Sequence, residues 1–195
     1  MCIRDSPTNS QILPTQRAGN PRAALYASKH LAINEINELT HRDMVVGLTR
    51  LDGKQTAIIS LYLDITTTAT PDYFNKALEY CKRRRYAVLA DTNAHHKLWG
   101  KETNKRGEEL EQTLSDYNLI VQNKGLTPTY ECKIGQSIID VTLTVNFRLK
   151  IDNWKVCRNY NGSDHNTILY KIVTCLLYTS PSPRDLSTSR MPSSA

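Results

Sequence analysis

Short β-branched and aromatic runs succeed one another along this chain, each broken by polar residues before it reaches helical length. Met44–Thr49 (MVVGLT), Thr56–Leu63 (TAIISLYL) and Tyr86–Ala90 (YAVLA) read as strands, as do Leu119–Gln122, Ile138–Thr144, Trp154–Cys157 and Thr167–Val173. Between the first two runs stands Asp52-Gly53, a pair that tolerates the positive φ of a tight hairpin, so those strands are expected to be antiparallel neighbours. Two helical patterns interrupt the series. Thr70-Pro71 supplies a cap and a first-turn proline, after which Tyr73, Phe74, Ala77, Leu78 and Cys81 share one face. Lys82–Arg85 then puts positive charge where the helix dipole favours it. The second helix is expected from about Gly107 to Tyr117, with Leu110, Leu114 and Tyr117 as its stripe and Asn118 as its cap. Hairpins mixed with strand–helix–strand units predict an α/β sandwich built on a mixed sheet.

At 195 residues the chain is long enough for one domain with a substantial core. No apolar run approaches the roughly 20 residues that cross a bilayer, and Met1–Asn20 lacks a secretory apolar region, so no membrane partner is expected and nucleus or cytoplasm is the default. Five cysteines (Cys2, Cys81, Cys132, Cys157, Cys175) at irregular spacing, with no Cys-x-x-Cys pair, speak against a disulfide framework and a zinc ribbon. The net charge of +6 fits a polyanionic partner without specifying one.

Both ends read as foreign to the fold. The stretch from Leu176, LLYTSPSPRDLSTSRMPSSA, is rich in Ser, Pro and Thr and lacks periodicity; with the opening MCIRDS it looks like translated sequencing-adapter sequence. A phosphorylatable tail is the alternative, given its Ser-Pro steps. The expected division is a disordered, non-native segment at 1–21, a folded domain at 22–174 and a disordered tail at 175–195.

Chemistry concentrates in three polar clusters placed at strand ends, where side chains converge within reach of a substrate. They are Asp91-Thr92-Asn93-Ala94-His95-His96 after the Tyr86 strand, Ser137-Ile138-Ile139-Asp140, and Gly162-Ser163-Asp164-His165. Each has an ordinary explanation. Asp-Thr-Asn after a strand is commonly an Asx turn, Ser-Asp-His is commonly a loop, and Tyr62 suits the solvent face of an alternating strand. His95-His96 does not complete a zinc set, since adjacent residues on an extended segment point to opposite faces. Trp99 reads as a packing residue, and Lys82–Arg85 as a solvated helix end.

In this order, the three clusters resemble the Gly-Asp-x-Asn, Ser-x-x-Asp and Ser-Asp-His segments of the endonuclease/exonuclease/phosphatase superfamily, with the Tyr62 strand upstream. The resemblance covers roughly Arg22 to Val173. Asn93-Ala94-His95-His96-Lys97-Leu98-Trp99-Gly100, Arg106-Gly107 and Thr127-Pro128-Thr129-Tyr130 are similar to the endonucleases of Jockey-type LINE (non-LTR) retrotransposons. The resemblance implies a DNase I-like fold, a two-layered β-sandwich flanked by helices, and Mg2+-dependent hydrolysis of DNA phosphodiesters, with Mn2+ as an alternative ion. It implies a parent polyprotein that carries a reverse transcriptase, primed at the nick. By the same resemblance Asp164 is a metal ligand and Asp91 orients and deprotonates water. His165 contacts the phosphate while held by Asp140, and Asn93 and Tyr62 hydrogen-bond phosphate oxygens or the nucleophile. An imidazole beside Asp140 is expected to have a raised pKa.

The match has gaps. Ala90 and Thr92 stand where the family has Gly and an apolar residue, and the family's first strand and its Gln-Glu segment, whose Glu binds metal, find no counterpart. Glu35 and Glu38 lie too far along the chain to be that ligand. The expectation is therefore an N-terminally incomplete domain of weak or no activity. Two alternatives stand beside the nuclease: a phosphoinositide-type phosphatase of the same superfamily, and an inactive transposon remnant or nucleic-acid-binding fold.

Overall fold

The computed structural model describes residues 10–13, 20–28, 30–145, 149–158 and 162–173. In chain order the elements are β1 (Ser10–Leu13), β2 (Leu25–Ser28), β3 (Ile33–Glu35), a 3-10 turn (Asn37–Leu39), β4 (Met44–Leu51), β5 (Lys54–Tyr62) and α1 (Asp72–Cys81). They continue with β6 (Arg85–Asp91), α2 (Lys105–Asp116), β7 (Leu119–Val121), β8 (Tyr130–Cys132), β9 (Gly135–Ser137), β10 (Asp140–Val145), β11 (Lys150–Cys157) and β12 (Thr167–Val173).

The Asp52-Gly53 turn folds β5 back onto β4 in an unbroken antiparallel register from Leu51↔Lys54 to Met44↔Leu61. Both turn residues have positive φ, 48° and 71°, as a type I′ hairpin requires. From Tyr62 the chain crosses through α1 and returns as β6, parallel to β5. The resulting six-stranded sheet has the order β3-β4-β5-β6-β10-β7, with β10 antiparallel to both neighbours.

Strand alternation then sorts side chains onto two faces. On one face Ile59, Leu61, Tyr86, Val88, Val141 and Leu143 pack against Phe74, Ala77 and Leu78 of α1 and Leu110 and Leu114 of α2. On the other, Val45 and Ile58 meet Leu13, Leu25 and Ala27 of the β1–β2 pair. Farther along that second face Trp154 of β11 donates its indole N–H to Thr142 Oγ1 at 3.0 Å. The architecture is thus the expected α/β class, a sheet covered by helices on one side and by further strands on the other.

Several boundaries differ from the sequence expectation. Ser10–Leu13, inside the stretch expected to be disordered, pairs with β2 and buries Leu13 completely. Pro71, not Thr70, occupies the cap position of α1 and offers no side-chain bond. α2 begins two residues early because Asn104 accepts from the Gly107 amide at 2.8 Å. β10 starts at Asp140 because the Ile139 amide is taken by Thr129 Oγ1 and its carbonyl by Thr92. Met1–Ser6, Cys2 and the 175–195 tail lie outside the described residues; Cys81, Cys132 and Cys157 are free thiols.

Replacing Gly53 with Ala leaves the space around it open but strains a left-handed backbone, a cost of about 1 kcal/mol. The midpoint of thermal unfolding followed by circular dichroism is expected to fall by about 2–4 °C.

Candidate active site

The sheet register builds the first half of the site. Tyr62, last in β5, lies opposite Asp91, last in β6, and Asp91 lies opposite Asp140, first in β10. Cross-strand partners share a face, so these three polar side chains form a row on the face away from α1 and α2. The row ends the strands, beyond the zone where apolar cover is complete.

The second half arrives from a distant loop. Residues 162–166 are stitched to the Thr129–Glu131 segment by a bridge between Tyr130 and His165 and by backbone bonds Glu131 N–H to Asp164 O (2.8 Å) and Asn166 N–H to Thr129 O (2.7 Å). The Thr129 hydroxyl accepts from the Ile139 and Asp140 amides at 3.1 and 3.0 Å, so one buried residue ties the His165 loop to the start of β10. His165 Nδ1 donates to Asp140 Oδ2 at 2.9 Å, while Nε2 faces Asp91 Oδ2 at 3.8 Å. The Tyr130 ring meets the imidazole edge-on at a centroid distance of 5.1 Å.

Electrostatics follow from partial burial. The Asp91, Asp140 and His165 side chains keep 18%, 19% and 28% of their exposure, enough desolvation to make proximity count. Burial, and next the Asp140 charge, push the Asp91 carboxyl up to about 6, with His165 opposing. The hydrogen bond to Asp140 raises the His165 pKa and outweighs burial, with Asp91 and Asp164 adding to the rise. Asp91, Asp140 and His165 also offer ligand atoms within 4.8 Å of one another, a group that could hold a metal ion. Two partly exposed carboxylates suit a hard divalent cation that retains some of its water.

The other expected residues are placed less uniformly. Asn93 adopts φ 47°, donates its amide to Asp91 Oδ1 at 3.2 Å and its Nδ2 to Leu63 O at 3.1 Å, so the Asx turn is present beside the carboxylate. Asp164 is exposed and its carboxylate stands outside the three-residue group. Tyr62 lies beneath the Arg22 guanidinium, 4.6 Å from its ring centre, while Arg22 also bonds Asp43 in two places and Asp64. Trp99 is buried and donates its indole N–H to Ala94 O at 3.1 Å. Thr92, unusual for the motif, is satisfied by donating to Ile139 O at 2.8 Å. Glu35 lies on β3, which β4 separates from β5. Sequence reasoning missed Arg22, Asp43 and the tie made by Thr129, which it had quoted only as part of a motif.

Comparison with known proteins agrees with this fold. The family model described as endonuclease-reverse transcriptase matches residues 56–169, more than half of the chain. The endonuclease domain of TRAS1, a telomere-specific non-LTR retrotransposon, is 27% identical with a TM-score of 0.71, over 84% of this chain and 80% of that one. The human Nocturnin catalytic domain superposes at 14% identity and TM-score 0.55, over 78% of this chain and 63% of that one. A Cimex nitrophorin mutant, solved as a ferrous NO complex, superposes at 14% identity and TM-score 0.51, over 78% and 70%. The last two likenesses concern the fold alone. No curated protein sequence matches significantly.

Asp140→Asn removes the charge that raises His165, so the imidazole midpoint in an NMR titration is expected to fall. The stability that His165 contributes is present below its unfolded pKa and lost as pH rises through the folded one, so this variant is destabilised most in acid. Asp91 has the opposite sign. Its folded pKa lies above the unfolded 3.8, so its charge weakens the fold increasingly between about pH 4 and 6, by at most about 3 kcal/mol above that range. Asp91→Asn is expected to raise the unfolding temperature at pH 8 and to lose that advantage below pH 4.

Proposed function

The chain belongs to the endonuclease-reverse transcriptase family, and on that footing we propose that its Asp91–Asp140–His165 centre hydrolyses phosphodiester bonds in DNA. The observation that carries this reading is the linked triad itself: a raised carboxyl facing a raised imidazole, with Asp140 behind the imidazole. A carboxyl titrating near 6 is mostly deprotonated at neutral pH and is a stronger base than an ordinary carboxylate, so it is suited to take a proton from water. An imidazole held charged by Asp140 can donate from Nε2 to a phosphate oxygen as negative charge builds there. The attacking water and the phosphate are proposed to meet beside Nε2 and Asp91 Oδ2, which stand 3.8 Å apart.

Within this reading Asn93 keeps its amide oxygen and second N–H for the phosphate or the water, and Tyr62 closes the wall of the row. Asp164, whose carboxylate stands outside the three-residue group, is the proposed ligand of Mg2+, or Mn2+ in its place, and such an ion would supply charge neutralisation at the phosphoryl oxygens. The proposed setting is that of a Jockey-type element: nuclear DNA as substrate, the nick priming a reverse transcriptase in the same polyprotein. The net charge of +6 supports a DNA partner.

Supercoiled plasmid with Mg2+ is expected to be nicked slowly by this chain, because the metal-binding Glu that the resemblance implies has no counterpart among its residues. His165→Ala and Asp91→Asn are each expected to lower that rate about a hundredfold or more. Nicking that survives both substitutions would remove the basis of the proposal. Inositol phosphates that outcompete duplex DNA for binding would instead favour a phosphatase.

A further inference from the structure

Two residues at the start of α2 are poor choices for a helix. Arg106, in the first turn, sets a positive charge against the positive end of the helix dipole, and Gly107 is less favourable in a helix than Ala. Both are explained by what lies across from them. A Cβ on Gly107 would stand 1.9 Å from the His95 carbonyl oxygen, so only Gly lets the helix end approach the segment that follows Asp91. Asn104 seals the same junction, its Oδ1 accepting from the Gly107 amide at 2.8 Å and the His95 amide at 3.2 Å.

Arg106 reaches further. Its Nε donates to Thr92 O at 3.1 Å, Nη1 to Thr67 O at 2.6 Å and Nη2 to Asp64 O at 2.9 Å. Thr92 is the residue after Asp91, and Asp64 and Thr67 belong to the loop that leaves β5 after Tyr62. All three acceptors are neutral carbonyls, and burial pulls the guanidinium pKa down, so the placement is not that of a solvated surface charge. Its neighbour Glu109, one turn along the helix, acts only through space.

We propose that Arg106 is a positioning residue for the Asp91 centre: its forked guanidinium clamps the carboxyl ends of β5 and β6 together and thereby fixes the turn that carries Asp91. The inference rests on reading that centre as the reacting one. A lysine ammonium is a compact charge and cannot span three carbonyls drawn from two loops, so the fork geometry itself is what the site uses. The clamp complements the direct tie from the Leu63 amide to Asp91 O at 2.8 Å.

The test compares Arg106→Ala and Arg106→Lys with Thr49→Val, which removes a buried bond to Ala32 O at the opposite end of the sheet. All are measured as the full chain, with thermal midpoints recorded. Arg106→Ala is expected to speed amide exchange at Leu63 and Thr92 about tenfold and to shift the His165 imidazole nitrogens, whose Nε2 faces Asp91. Plasmid nicking is expected to lose about a hundredfold in kcat with KM changed less than about threefold. Arg106→Lys should recover little of this, and Thr49→Val none of these changes should show, even at an equal drop in thermal midpoint. Matching behaviour of Arg106→Ala and Thr49→Val, or full rescue by Lys, would overturn the proposal. If the parent chain does not nick, the nuclease reading fails, while exchange and the imidazole shift still decide whether Arg106 positions Asp91.

Discussion

The site depends on one constraint, the register that sets Asp91 directly opposite Tyr62 on one side and Asp140 on the other. A slip of one residue in either pairing would turn a carboxylate to the helix-covered face, where Leu61, Ala90 and Val141 are buried. The register is in turn held by the apolar residues on that face. Their demand for burial against α1 and α2 is what leaves polar side chains together on the opposite face at the strand ends.

Proximity of two carboxylates carries an electrostatic cost that the fold manages rather than avoids. Asp140 is paired with His165 through a direct bond, and the charged form of Asp91 is disfavoured by burial and by Asp140. The loop bearing His165 is therefore part of what holds the start of β10 in place. Thr129 makes the connection physical, since its hydroxyl holds the start of β10 while its carbonyl holds the residue after His165.

A similar economy appears around β5 and β6. Arg22 lies over Tyr62 and bonds Asp43 and Asp64, and Arg106 draws in the carbonyls of Asp64 and Thr92. Both guanidiniums serve backbone and side-chain geometry near the polar row, and neither has a free fork aimed at solvent. These contacts hold in place the backbone on which the polar row stands.

Much was legible from sequence because it is local. Strand and helix periodicity, the Asp-Gly turn and the polar residues ending each strand follow from side-chain alternation and backbone preference, and so did the three clusters that carry the resemblance. What lay beyond the sequence was non-local. β10 inserts between β6 and β7 although β7, β8 and β9 separate it from β6 along the chain, and no periodicity encodes that order. Only this insertion brings Asp140 to Asp91, and only the stitching at Thr129 and Tyr130 brings His165 to both while leaving the Asp164 carboxylate outside. Short edge strands such as Ser10–Leu13 went unseen for the same reason: four residues carry too little pattern, and it is the buried face they meet that makes them strands.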